Sequence, residues 1–261
     1  PWLTAVNSLV PALMAGNTVV LKHSEQTPLV AERIRSAAET AGLPEGVVEV
    51  IHVDHAGVAS VIRDSRVAFV AFTGSVEGGH AIQNAASARF IGAALELGGK
   101  DPAYVAADAD VVRSAANLVE GSFYNAGQSC CGIERIYVHE HVYQPFLEAF
   151  TEEAHRLVLG DPREPETTLG PVVRVRSAKS IRAQVDAALA AGARPLLDSS
   201  RFPETARGLP YMAPQALVNV DHSMEVMREE TFGPVVGIMA VGSDDEAIRL
   251  ICENDGEPFF L

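Results

Sequence analysis

Apolar and polar positions along the chain switch between two periods. Short β-branched runs alternate with longer stretches of helical spacing. Asn17 precedes TVVLK, which reads as a buried strand ending near Lys22. Residues Pro28–Ala41 carry helical apolar spacing, and Gly42-Leu43-Pro44 stops that helix. Val47–His52 predicts a second strand, followed by a short helix around Ala56–Arg63. Val67–Phe72 predicts a third strand, and Thr73-Gly74-Ser75 opens a helix reaching about Ala88. Phe90–Leu97 predicts a fourth strand, ending at Gly98-Gly99. Strands that alternate with helices imply right-handed crossovers and a mostly parallel sheet. In such sheets ligands gather at the carboxyl ends of the strands, where Lys22, Thr73-Gly74-Ser75 and Glu96 all fall.

A second α/β unit follows. Ala103–Ala106, Arg135–His139, Met212–Val220 and Val235–Val241 read as strands. Asp110–Tyr124, Val142–Leu159, Val175–Ala191 and Asp244–Glu253 read as helices, the last capped by Ser243. Arg163–Thr168 reads as a polar loop and Ser199–Pro210 as an exposed one. The expected division is residues 1–98 and residues 99–261.

Composition narrows the function classes. The chain has 261 residues, 34 of them acidic and 20 basic, for a net charge of −14. So acidic a surface argues against nucleic acid and anionic membrane as partners. No apolar run reaches the roughly 18 residues of a membrane span. Cys130, Cys131 and Cys252 make an odd count with no disulfide framework, which favours a reducing, cytoplasmic setting. No CxxC or paired-His spacing suggests a metal site. His52 and His55 lack spaced partners, and all eight histidines read as structural or surface residues.

Five segments carry candidate chemistry. Cys130 lies in NAGQSCCG, between a helix and a strand, in a loop rich in small residues. A lone cysteine is more often a small buried hydrophobe than a nucleophile. Glu96 lies at a strand end between Leu95 and Leu97, and an apolar setting there would raise its pKa toward a general base's range. Lys22 and Glu25 could hydrogen-bond ribose hydroxyls, although spacing alone favours an ordinary surface ion pair. Thr73, Gly74 and Ser75 open a helix whose backbone N–H groups suit a pyrophosphate, but the segment departs from GxGxxG. Glu230 and Phe232 lie in EETFGPVV, which alone reads as an acidic pair before a Gly-Pro turn.

LELGGK and NAGQSCCG, with Glu96 and Cys130 separated by 34 positions, together resemble the aldehyde dehydrogenase superfamily. PALMAGNTVVLK and EETFGPV extend the resemblance over almost the entire chain. It implies a partial Rossmann-like, parallel-sheet cofactor domain followed by an α/β catalytic domain. It makes Cys130 the nucleophile and Glu96 the base that activates water. It assigns Lys22, Glu25, Thr73, Gly74, Ser75, Leu97, Gly98, Glu230 and Phe232 to the cofactor. Glu230 would meet the nicotinamide ribose, and Phe232 would lie beside the nicotinamide. NAD is expected, because Glu25 would repel a 2′-phosphate, with NADP the alternative. The implied reaction oxidises a small aldehyde to a carboxylate through a cysteine thiohemiacetal and thioester.

The resemblance also implies segments beyond both ends of this chain. The family's second oxyanion donor, an Asn, would precede Pro1, and Asn7 is not its equivalent. A C-terminal arm used for oligomerisation would follow, and ENDGEPFFL diverges where the family turns. The chain therefore reads as an internal fragment of a homo-oligomeric parent. The alternatives are an impaired fragment or non-catalytic nucleotide-binding relative, and a cofactor-independent thiol hydrolase.

Overall fold

A computed structural model of the protein describes residues 1–202, 205 and 209–253. The chain divides into two compact units at Leu97/Gly98.

The first unit begins with a helix that the sequence reading did not anticipate, α1 (Trp2–Met14). Pro11 inside it and the lack of a capping side chain hid it. Ala5, Leu9 and Leu13, spaced four apart, place one face against strand β1 (Val19–Leu21) and its neighbours. Helix α2 (Pro28–Thr40) starts with Pro28, whose missing N–H costs nothing in a first turn. Strand β2 (Val48–Val50) pairs parallel with β1, Val19 opposite Val48, and Leu9, Ile34 and Val48 form the small core.

Helix α3 (His55–Arg63) is capped by Asp54, whose carboxylate accepts the Gly57 N–H at 2.8 Å. Strand β3 (Phe69–Thr73) leads into helix α4 (Val76–Ser87), and strand β4 (Gly92–Glu96) pairs parallel with β3. Ile62, Ile82, Ala85 and Ala86 form this ladder's core, with Val70, Phe72, Ala93 and Leu95 packed on it. The single parallel sheet expected here is two separate two-stranded ladders. β1 and β2 are three residues each, and each ladder closes on its own helices.

The second unit is larger and holds a five-stranded sheet. Strand β5 (Asp101–Val105), helix α5 (Val111–Phe123), strand β6 (Ile133–His139) and helix α6 (Glu140–Ala154) come first. Helix α7 (Val175–Ala190), strands β7 (Arg194–Pro195), β8 (Gln215–Val218) and β9 (Val235–Val241), and helix α8 (Asp244–Cys252) follow. The sheet order is β5-β6-β9-β8-β7, all parallel except the antiparallel pair β7–β8 at one edge.

β6 and β9 lie inside the sheet with both faces covered; β9 is apolar throughout, whereas β6 buries Glu134, Arg135 and His139 among its apolar residues. Phe123, Phe146 and Phe150 fill one side, with ring centroids 6.0 Å and 5.6 Å apart. Ala178, Ile181, Val185 and Ala188 bury one stripe of α7. Ser243 caps α8, accepting the Glu246 N–H at 3.2 Å.

α6 begins two residues before the expected Val142 and ends at Ala154, while the strand expected over Met212–Val220 narrows to β8. The Ser199–Pro210 segment is not wholly exposed: a short 3-10 turn at Ser199–Arg201 leads to buried Phe202. Most of its remainder, and residues 254–261 with most of ENDGEPFFL, lie outside the described residues.

Candidate active site

In the first unit, the β3–β4 ladder gathers several of the expected residues. Thr73 stands opposite Glu96 in the parallel register, and the Gly74 N–H donates to the Glu96 carbonyl at 3.0 Å. Ser75 caps α4, its hydroxyl accepting the Gly78 N–H at 3.2 Å. A strand end thus passes into a helix N-terminus within two residues, which concentrates N–H donors and the positive end of the helix dipole. Half-buried Leu97 continues from β4. Lys22 and Glu25 follow β1 on the other ladder. Lys22 is half-buried, Glu25 is exposed, and they form no ion pair with one another.

The apolar setting expected around Glu96 is absent, and its side chain is exposed. The reason is strand alternation: Ala93 and Leu95 face the helices, whereas Gly92, Ala94 and Glu96 face outward.

In the second unit, Cys130 follows a strained turn. Asn125, Ala126 and Gly127 have φ of 52°, 56° and 67°, three successive left-handed residues. Left-handed backbone costs a non-glycine residue roughly 1–2 kcal/mol. Gly127 is required twice over, because a Cβ there would come within 2.1 Å of the Gly233 carbonyl oxygen. Gln128 braces the turn. Its amide nitrogen donates to the Asn125 carbonyl (3.0 Å), and its amide oxygen accepts the Val173 N–H (2.7 Å). Asn125 returns a bond to the Gln128 carbonyl at 3.0 Å.

Cys130, Cys131 and Cys252 are free and exposed. The atoms packed against the Cys130 thiol still push its pKa up, with a further contribution from neighbouring Cys131. The Ser129 hydroxyl lies 3.3 Å from the Cys131 sulfur.

Glu230 rests against Gly98 and Gly99. A Cβ on residue 98 would lie 2.2 Å from Glu230 Oε2 and would displace the carboxylate from its place, and the Gly99 N–H donates to Glu230 Oε1 at 3.3 Å. Glu230 is open to solvent on one side, and the protein on the other raises its carboxyl above the usual range against the pull of that N–H. Phe232 is exposed and left-handed, with φ of 48°.

Behind this loop lies a buried polar network. Lys100 Nζ donates to Glu134 Oε2 (2.5 Å) and to the Thr231 hydroxyl (3.0 Å), which donates to Gln184 Oε1 (2.6 Å). Glu134 also accepts the backbone N–H groups of Thr231 (2.8 Å) and Phe232 (2.9 Å). Burial pushes the Lys100 ammonium pKa down, against the attraction of the Glu134 carboxylate.

The family model described as the aldehyde dehydrogenase family matches residues 1–256. The chain belongs to the aldehyde dehydrogenase family. It is 37% identical over 257 residues to the NAD(P)+ succinate semialdehyde dehydrogenase of Escherichia coli (strain K12), covering 98% of this chain and 54% of that protein. It is 36% identical over 250 residues to a 3-sulfolactaldehyde dehydrogenase of Priestia aryabhattai, covering 95% and 51%. The crystal structure of Escherichia coli lactaldehyde dehydrogenase superposes with a TM-score of 0.91 at 32% identity, covering 98% of this chain and 53% of that one. The chain thus spans about half the length of the family members it matches.

Sequence reasoning missed Asn125, Gln128, Glu134 and Thr231, and gave no role to Lys100. One signal was present. The charged pair Glu134-Arg135 adjoins an apolar strand of buried character, and buried charges demand partners. Among the described residues, no group of three His, Cys, Asp or Glu side chains is placed to hold a metal ion. Nor is any described helix long and apolar enough to cross a membrane.

Proposed function

We propose that this chain carries the nucleophile and much of the cofactor site of an NAD(P)-dependent aldehyde dehydrogenase. The observation that carries the reading is the free, exposed thiol of Cys130, presented by a braced left-handed turn in a chain of this family. Strained backbone held by its surroundings is a mark of functional loops.

The residues fit a dinucleotide. The helix opening at Ser75 offers N–H donors suited to a pyrophosphate, and Thr73, Gly74 and Leu97 flank it. Lys22 and Glu25 would take adenosine-ribose hydroxyls, with exposed Glu25 disfavouring a 2′-phosphate and so favouring NAD over NADP. Glu230, set against Gly98, would take the nicotinamide-ribose hydroxyls, and Phe232 would flank the nicotinamide. When bound, the nicotinamide supplies the hydride acceptor.

The Cys130 sulfur attacks the aldehyde carbonyl carbon to form a thiohemiacetal. Its pKa is raised, so the thiol proton must leave as the carbon–sulfur bond forms, and at this exposed sulfur it passes to solvent water. The Cys130 backbone N–H stabilises the developing oxyanion. Loss of hydride leaves a thioester on Cys130. Glu96, open to water at the end of β4, takes a proton from the water that hydrolyses the thioester, releasing a carboxylate and restoring the thiol. The substrate class is a small aldehyde. A reducing, cytoplasmic setting accords with three free cysteines, and the parent enzyme would be a homo-oligomer.

The test is NADH formation when the purified chain meets NAD and a panel of small aldehydes, with succinate semialdehyde and lactaldehyde among them. Activity that Cys130→Ala abolishes is the expected result. NADH formation that survives Cys130→Ala, or ester hydrolysis without NAD as the sole activity, would overturn the reading.

A further inference from the structure

We infer that Glu134 is a positioning residue for the nicotinamide-ribose half of the cofactor site, acting through the backbone of Thr231 and Phe232. This rests on the proposed function, and deepens it by naming what holds Glu230 and Phe232 in place.

Glu134 is buried at the start of β6, and both of its carboxylate oxygens are engaged. Oε2 accepts the Thr231 N–H and the Lys100 ammonium, while Oε1 accepts the Phe232 N–H. Those two N–H groups belong to the residues immediately after Glu230. Phe232 stands in the left-handed region, a conformation that a bulky residue keeps only when its neighbours enforce it. The bond from its own N–H to Glu134 is the enforcement the structure offers.

Lys100 ties in the other side of the site. It immediately follows Gly98-Gly99, the backbone against which the Glu230 carboxylate rests. One carboxylate therefore fixes both chain segments that converge on Glu230. The Thr231 hydroxyl completes the ring by accepting from Lys100 and donating to Gln184. A purely stabilising ion pair needs neither contact to the two consecutive backbone N–H groups. Glutamine at position 134 would keep one acceptor oxygen, put an NH₂ group where the other stood, and leave Lys100 without its counter-charge.

The experiment measures binding of NADH, by nicotinamide fluorescence, and of ADP, by calorimetry, to the 261-residue chain and its variants. ADP reports the adenosine half alone. In Glu134→Gln the Kd of NADH is expected to rise about tenfold while that of ADP stays within about twofold, the size expected for lost hydrogen bonds to a charged group. Thr231→Val keeps the carboxylate and the lysine, and covers the case in which Glu134→Gln fails to fold. Its NADH Kd is expected to rise about threefold, with ADP unaffected. Equal weakening of both nucleotides, or no change in either, would overturn the positioning role. A wild-type chain that binds neither nucleotide would overturn the functional reading, and this inference with it.

Discussion

The two units use the same alternation of strand and helix to opposite effect. In the first, β4 exposes every second side chain, so Glu96 meets water and needs no partner. In the second, six of the seven residues of β6 are buried, and its charged members must be paired. Glu134 finds Lys100, and Arg135 donates to the Lys100 carbonyl at 2.8 Å and to the Tyr137 hydroxyl at 3.2 Å. The first unit also leaves apolar side chains open, with Phe90 98% and Phe69 61% exposed, whereas Tyr137 and Phe150 are wholly buried. Whether one or both faces of a strand are covered thus decides where a polar side chain is free to act and where it must be locked.

The largest expected contrast comes from cores. Phe150→Ala should cost the second unit about 3–5 kcal/mol, because its dense surroundings cannot collapse onto the cavity. Ile82→Ala in the four-residue core beneath β3–β4 should fall nearer 2 kcal/mol, the low end for such truncations. Denaturant unfolding of both variants checks this, and equal losses would break the comparison.

A smaller and symmetrical effect is expected from helix caps, which act locally whatever the size of the sheet. Asp54→Ala on α3 and Ser243→Ala on α8 should each cost about 1 kcal/mol. Clearly unequal costs would mean that the caps report more than local helix ends.

The smallest effect concerns pH and belongs to the second unit alone. Burial, and then the nearby Arg135 charge, hold the His222 pKa below its usual value, while Glu253 pulls the other way. The Tyr137 hydroxyl accepts from Arg135 at 3.2 Å and lies 2.7 Å from His222 Nε2. The unfolded chain therefore binds the proton more tightly. The stabilisation is fully present above about pH 6.5 and declines as pH falls toward the depressed folded value. His222→Gln should flatten that part of the stability profile, and an unchanged profile would remove the histidine from the account.

How far these features could be read from the sequence depends on how local their causes are. Asp54, Ser75 and Ser243 sit at helix starts whose capping is decided within three residues, and β3 and β9 announce themselves as apolar runs. α1 escaped because Pro11 interrupts its pattern and its apolar stripe has meaning only against β1 and β2. The exposure of Glu96 escaped because Leu95 and Leu97 suggest an apolar niche in one dimension, while strand alternation turns the residues on either side of the glutamate away from it. The Glu134 network could not be read in full, since its members stand 34, 97 and 131 positions apart.

The turn before Cys130 has a consequence for how this molecule can vary. The strand after it is secured by ladders on both sides, so most single replacements there leave its course intact. The thiol's placement is secured largely by one amide, that of Gln128, which spans from Asn125 to Val173. A descendant that loses that amide keeps its cysteine, its sheet and its outward resemblance to its parent, and loses the address at which the cysteine is delivered.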